Sequence, residues 1–375
     1  MKRIAINGLG RIGKLVFQYL LESDAYKNGE IDIVAINDLT NVSQLAYLLK
    51  YDSTQLSMKD KGHTVEYQEW PVDTNEVSPQ VGALVVDGKA FPVYAQKDPT
   101  LLPWGELNVD VVCECTGRFA TIEGASQHLR AGAKHVMVNA PVKGTSNIVY
   151  KVNSNVLTGK EDIICGASCT TNCLAPLAKI LDESFGIVKG MMTTVHSYTA
   201  DQSILDCPHK KGENSRRGRT AGNNIVPAST GAAEAVAKAL PQLKGKLTGM
   251  AMRVPTPTGS VVVFDVELKG KLTAEQVNNA VKDNMDNESI SGTEDPVVSS
   301  DIIGCEYGSY VDFQSTKVLD TEGDTTMAQI VSWYDNEASY THQFVKTLNY
   351  WISLMPEKTQ IEKIFDVLEK VSTEE

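Results

Sequence analysis

Arg3-Ile4-Ala5-Ile6-Asn7-Gly8-Leu9-Gly10-Arg11-Ile12-Gly13 reads as a short buried strand, a GxGxxG loop and the start of a helix whose apolar pattern runs from Leu15 to Leu21. A second apolar run, Ile31 to Asn37, ends at Asp38. A glycine loop of this spacing says little alone. Between a strand and a helix, with a second strand ending in an acid, it has the form of a dinucleotide site. Without side chains at Gly8 and Gly10 the backbone turns tightly and approaches a pyrophosphate, whose charge then sits on the N-terminus of the helix. Gly13 lets helix and strand pack closely. Asp38, 25 positions beyond Gly13, stands where a carboxylate accepts both ribose hydroxyls, which favours NAD over NADP. The competing reading is a tight loop in a nucleotide-free fold, with Asp38 a turn residue.

Further strand-like runs, Val109 to Cys113 and His135 to Val138, flank the helical stretch Thr121 to Ala131. This alternation extends the start into a parallel, doubly wound α/β sheet of the Rossmann type. Glu66 to Val81, with two prolines and four acidic residues, interrupts it as a surface excursion or extended hairpin. After Cys169 the texture changes. A helix over Thr171 to Phe185 precedes the β-rich runs Met191 to Val195, Met250 to Val254 and Val261 to Leu268, which predicts a second, α+β domain with a mixed sheet. Asp201 to Asn224, rich in Gly and Arg and without periodicity, is a long loop of the kind that carries function. Behind Pro356, apolar Ile361, Ile364, Phe365, Leu368 and Val371 lie at helical spacing opposite charged residues, an appended amphipathic helix whose stripe docks on protein.

The 375 residues exceed one ordinary domain of about 100–200 residues. With 35 basic and 47 acidic residues the net charge is −12, which disfavours nucleic acid and anionic membranes as partners. No apolar run reaches membrane-spanning length and no apolar signal core follows Met1-Lys2-Arg3, so a cytoplasmic address is expected. Seven cysteines in so long a chain do not make a disulfide framework. Cys113 and Cys115 find no second pair with zinc spacing, so no metal site is expected.

Cys169 lies among the small and hydroxylated residues Ala167-Ser168-Cys169-Thr170-Thr171-Asn172, at the start of a helix whose positive end favours a thiolate. His196, at the end of a β-rich run, is the natural base, and as an imidazolium it would lower the thiol pKa further. Spacing leaves open whether the two meet, since a histidine beside a strand is ordinarily structural and a free cysteine ordinarily core. Cys173, one turn deeper, is expected to be unreactive. Arg216, Arg217, Arg219 and Arg253, with Lys210 and Lys211, concentrate positive charge in an acidic chain, and guanidinium forks suit phosphate. The alternative is a solvated charge run. Ser229, Thr230 and Gly231, opening the helical pattern Ala232 to Leu240, add backbone donors for an anion.

From Ile4 to about Leu354 the sequence resembles the phosphorylating glyceraldehyde-3-phosphate dehydrogenase family. The resemblance rests on Asn7 to Gly13, Ala35 to Asp38, Tyr51 to Thr54, Ala167 to Ala178, Thr193 to Ser197, Pro227 to Ala233 and Trp333 to Glu337. It implies that Cys169 attacks the aldehyde of D-glyceraldehyde 3-phosphate, that His196 activates the thiol and assists hydride transfer to NAD, and that inorganic phosphate cleaves the thioester. It implies one anion pocket of Thr199, Asp201, Arg217 and Arg253, and another of Ser168, Thr170, Thr230 and Gly231. Cofactor contacts would include Gly8, Gly10, Arg11, Ile12, Gly13, Asp38, Lys97, Cys115, Thr116, Asn336 and Tyr340. Residues 1–168, completed by a helix at about 336–355, would bind NAD, residues 169–335 would carry catalysis, and 356–375 would be the addition. The resemblance also implies a homotetramer.

Departures from the family pattern fall at Lys97 and Cys115, where Arg and Ser are common, at Asn139, Gly166 and Thr258-Gly259, and at Cys207-Pro208, which keeps half of the Leu-Pro pair of NAD-specific members. Two rival readings accompany the resemblance. One is a sister dehydrogenase of erythrose 4-phosphate, with water as acceptor. The other is a non-enzymatic surface or RNA-binding protein reusing the fold. The intact Cys169, His196 and acceptor-pocket residues speak against both.

Overall fold

The structure is a computed structural model describing residues 1–71, 76–210, 212 and 215–356. The opening run forms the strand Lys2–Asn7 and, after the glycine loop, the helix Arg11–Glu22. Eight strands make the first sheet, in the order Val65–Glu69, Gln80–Val86, Lys89–Tyr94, Ile31–Asn37, Lys2–Asn7, Val111–Glu114, His135–Val138, Ile163–Cys165. The last six run parallel to one another, and Lys2–Asn7 lies at the point where the strand order reverses. In open parallel sheets the ligand crevice forms there, at the carboxyl ends of the strands. The two edge strands pair antiparallel, so the excursion at Glu66 to Val81 is a hairpin whose residues 72–75 lie outside those described.

The second sheet has seven strands, in the order Val226–Ser229, Leu247–Val254, Ile187–Ser197, Ser260–Lys269, Thr325–Tyr334, Ser309–Asp320, Ile290–Thr293. It mixes parallel and antiparallel pairs, so the expected α/β fold with a mixed second sheet is present. Burial alternates strictly along Ser260–Lys269 and Thr325–Tyr334. One face supplies Phe264, Val262, Val266 and Ile330 to a core shared with the helices Cys169–Ser184, Ala232–Ala239 and Ala274–Asn284. Among the described residues no helix lies on the opposite face. Met191 and Met250 are exposed there, and Val261, Val263, Val331 and Trp333 are half-buried.

After the second sheet the chain returns to the first. The helix Ala338–Leu354 buries Phe344, Leu348 and Trp351 in the same core as Ile4, Leu15 and Phe17. Where it begins, Arg11 forks onto Glu337 (2.5 Å) and Asp52 (2.6 Å), and Lys14 reaches Asp52 at 2.8 Å. The two cations hold the Asp52 carboxyl well below the usual carboxylate range against the opposing effect of burial. Among the described residues no helix is long and apolar enough to cross a membrane. The amphipathic pattern behind Pro356 lies outside the described residues.

Candidate functional site

A cleft of about 720 Å³ opens at the carboxyl ends of the first sheet's central strands. Gly8, Gly10, Arg11, Ile12, Asp38, Lys97, Cys115 and Thr116 line it, together with Gln96, Arg118 and Phe119, which sequence reasoning did not single out. Gly8 has φ +90°, and a Cβ there would meet Thr116 at 2.8 Å. A Cβ on Gly13 would stand 1.9 Å from the Gly8 carbonyl oxygen, so the expected close packing of helix on loop is a steric requirement. Gly10 differs: nothing in the protein lies within 4 Å of where its Cβ would be. That bare wall suits an approaching ligand. The helix Arg11–Glu22 has no side-chain cap and no acid in its first turn, so its leading N–H groups remain for an anion. Glycine cradle and uncapped helix together fit a pyrophosphate.

Asp38 steadies the same loop, its Oδ2 accepting from Leu9 N (2.7 Å) and its Oδ1 from Thr40 N (2.9 Å). Each oxygen keeps a second acceptor site for a ribose hydroxyl. The Arg11 guanidinium is committed to Asp52 and Glu337, so at the cleft this residue offers backbone. Three expected cofactor contacts do not line the cleft: Gly13, which packs helix on loop, Asn336 and Tyr340. Asn336 is buried, its Oδ1 accepting from Ser197 Oγ (2.6 Å) and Ser260 Oγ (3.0 Å). Tyr340 is packed beneath, in the core formed with the returning helix, with its buried hydroxyl finding no hydrogen-bond partner among the described residues.

Cys169 begins the helix Cys169–Ser184, and Ser168 caps it by accepting from Thr171 N. Ala167, fully buried, turns the chain with φ +57°, a conformation costly for a residue with a Cβ and one that clusters at functional sites. His196 lies near the end of the strand Ile187–Ser197. The structure brings the two together, with Cys169 Sγ 3.4 Å from His196 Nε2. On the other side of the ring, Nδ1 is 2.7 Å from the Ser197 carbonyl oxygen. A carbonyl only accepts, and Arg253 Nη1, 3.0 Å from the same nitrogen, directs its two hydrogens to Ser197 O and Thr199 Oγ1, so the proton is on Nδ1 and the Nε2 lone pair faces the sulfur.

The expected imidazolium is not favoured here. Burial, reinforced by the nearby Arg253 charge, pushes His196 down to about 3. Burial also pushes the Cys169 thiol up, with Arg253 and hydrogen bonds from Thr170 opposing it. Both shifts favour the thiol and the neutral imidazole, a nucleophile with its base in place. Burial pushes Cys173 up as well, to about 12, in keeping with an unreactive thiol.

Beside the pair, Arg253 Nη1 donates to Ser197 O (2.9 Å) and Thr199 Oγ1 (3.0 Å), Thr199 bonds Asp201, and Arg217 pairs with Asp201 at 2.5 Å. The buried Arg253 Nε has no partner among the described residues. The first expected anion group is thus one connected cluster with an unused donor. The second is looser. The Ser168 hydroxyl bonds Thr171 (2.7 Å) and the Thr170 hydroxyl bonds Tyr334 (2.9 Å), so both are occupied inside the fold. Thr230 Oγ1 accepts from Ala232 N, and Gly231 stands open at the N-terminus of Ala232–Ala239. Of the basic run, Arg219 pairs outward with Asp206, both largely exposed, as a solvated pair would. Lys211 lies outside the described residues.

Comparison with known proteins gives matches along most of the chain. Residues 2–122 match the family model for the glyceraldehyde 3-phosphate dehydrogenase NAD binding domain, and residues 168–336 match that for the C-terminal domain. The glyceraldehyde-3-phosphate dehydrogenase of Clostridium pasteurianum is 49% identical over 355 residues, 94% of this chain and 99% of that protein. That of Clostridium acetobutylicum is 48% identical over the same shares. That of Streptococcus pyogenes is 45% identical over 94% of this chain and 98% of its own.

Proposed function

Because the chain belongs to the glyceraldehyde-3-phosphate dehydrogenase family, we propose that the Cys169–His196 pair is its catalytic centre and that inorganic phosphate is its acyl acceptor. The protein is an NAD-dependent oxidoreductase of glycolysis acting on glyceraldehyde 3-phosphate. The observation that carries the assignment of the centre is the 3.4 Å approach of the Cys169 sulfur to an unprotonated His196 Nε2.

As Cys169 Sγ bonds the aldehyde carbon, its proton passes to Nε2 and from there to the carbonyl oxygen, which becomes the hydroxyl of a thiohemiacetal and leaves Nε2 free again. Bound NAD supplies the acceptor for the hydride that leaves this carbon. His196 takes the hydroxyl proton as the carbonyl re-forms, leaving an acyl thioester on Cys169. Attack by a phosphate oxygen breaks the C–S bond and releases the acyl phosphate, and the thiolate recovers its proton through His196. The cluster of Arg253, Thr199, Asp201 and Arg217 suits the substrate's own phosphate, since Arg253 Nε is unused beside the reacting pair. Thr230 and Gly231 suit the attacking phosphate, with Ser168 and Thr170 shaping that wall. Gly8, Gly10, Gly13, Ile12, Asp38, Lys97, Cys115 and Thr116 would hold the cofactor, with Arg11 contributing backbone. Asn336 and Tyr340 would act from beneath.

The domain division follows from these roles: 1–168 with the helix near 336–355 for NAD, 169–335 for catalysis. The apolar face of the second sheet, uncovered among the described residues, supports a homotetramer, and the charge of −12 disfavours nucleic acid or an anionic membrane as partner. The deciding experiment follows NADH absorbance with NAD and glyceraldehyde 3-phosphate, with and without inorganic phosphate, in the wild type and in Cys169→Ser. Sustained turnover that requires phosphate and vanishes in the variant is expected. A single burst unaffected by phosphate would refute phosphate as acceptor, and turnover surviving in Cys169→Ser would refute the thioester.

A further inference from the structure

Glu114, at the end of the strand Val111–Glu114, has no exposed surface and no part in the steps above. Four donors converge on it. Asn7 Nδ2 (2.5 Å) and His128 Nε2 (3.0 Å) meet Oε2, while Thr116 N (2.8 Å) and the Thr116 hydroxyl meet Oε1. The direction of the His128 bond follows from its other neighbour. An indole N–H only donates, and Trp104 Nε1 lies 3.0 Å from His128 Nδ1, so Nδ1 accepts and the ring proton is on Nε2, facing Glu114. Trp104 and His128 are themselves fully buried.

From this carboxyl the bonding spreads along the cleft floor. Asn7 Oδ1 accepts from Asn37 Nδ2 (2.7 Å), Asn37 Oδ1 accepts from Gln96 N (2.8 Å), and Thr116 Oγ1 accepts from Arg118 N (3.0 Å). The carboxyl ends of three adjacent parallel strands are thereby joined. Asn7, Asn37, Gln96, Thr116 and Arg118 all line the cleft. A buried polar network gains little over apolar packing in stability, but when every member is satisfied it fixes geometry.

We propose that Glu114 is a positioning residue for the cofactor: by gathering Asn7, Thr116 and His128 it holds the strand ends and the Thr116–Arg118 loop in the shape that receives NAD. The inference rests on the cleft being the NAD site. Glu114 touches neither Cys169 nor His196, so its loss acts on binding and not on the chemical step.

Glu114→Gln keeps the shape but presents an NH₂ where an acceptor is needed, so at least one of the four donors loses its partner. NAD affinity is measured by calorimetry, kcat and KM by steady-state kinetics, and folding by thermal melting. Kd and KM for NAD are expected to rise about tenfold or more, with kcat at saturating NAD and KM for glyceraldehyde 3-phosphate within about twofold of wild type. Trp104→Phe, which frees His128 to take its other tautomer, should shift Kd in the same direction by less. An unchanged Kd in folded Glu114→Gln overturns the proposal, as does a loss confined to kcat. If Glu114→Gln does not fold, Trp104→Phe decides, and wild-type affinity there overturns it. If the wild type itself binds no NAD, the reading of the cleft has failed and the role of Glu114 falls with it.

Discussion

His196 and Cys169 face each other in a setting that penalises charge on both. The histidine is pushed down to about 3 and the thiol is pushed up, each chiefly by burial. For the thiol the sign is plain: a raised pKa means a smaller thiolate fraction at any given pH. In the cofactor-free protein, inactivation by iodoacetamide at Cys169 should therefore keep accelerating from about pH 6 to pH 9, the ordinary thiol range. A rate that levels off below neutrality would show a preformed thiolate–imidazolium pair and contradict the neutral resting state. Sequence reasoning singled out both residues, because a thiol at a helix start and a histidine at a strand end each leave a local mark, but spacing left their contact open and only the resemblance implied it. It expected the imidazolium, because burial at His196 depends on Tyr334, Arg253 and Ser197, none of which sequence spacing places around the ring. Glu114 escaped for a similar reason: its partners Asn7 and His128 come from distant parts of the chain.

Elements built by short-range pattern were the legible ones. The strand His135–Val138 and the helix Ile122–Arg130 fall where periodicity placed them, and Gly13 signals packing that the structure shows to be obligatory. The helix Ala338–Leu354 was found through resemblance, since an apolar stripe does not say which core will receive it. It crosses back to the first sheet, and Trp351 is its anchor, fully buried and edge-on to His135, with Nε1 donating to Glu161 Oε2 at 2.7 Å. Trp351→Ala should cost about 3–5 kcal/mol by chemical denaturation, the range for deleting a buried aromatic side chain. Because the helix starts beside Glu337, the partner of Arg11, NAD affinity should weaken as well. A variant that loses less than about 1 kcal/mol, against that same range, would mean the helix is an accessory to the first domain and not part of its core.

At the scale of the whole molecule the second sheet has, among the described residues, one covered face and one bare one. Helices shield the side bearing Phe264 and Ile330, while Val261, Val263, Val331, Trp333, Met191 and Met250 remain outward across neighbouring strands. Monomeric proteins seldom expose contiguous apolar surface on this scale, and a symmetric pairing of such faces would bury it. The buried Trp333 Nε1, without a hydrogen-bond partner among the described residues, adds a polar group that such a contact could satisfy. Sedimentation equilibrium of the wild type should give four times the 40.8 kDa chain mass. Val263→Asp should lower that number, since a carboxylate at the centre of the face would be desolvated without a counter-ion in any pairing. In the monomer the same side chain stays half in water, so the fold should survive and circular dichroism should change little. If Val263→Asp keeps the wild-type mass, this face is not where the subunits meet. If the wild type sediments as a single chain, the tetramer fails altogether, and the bare face must be accounted for in some other way.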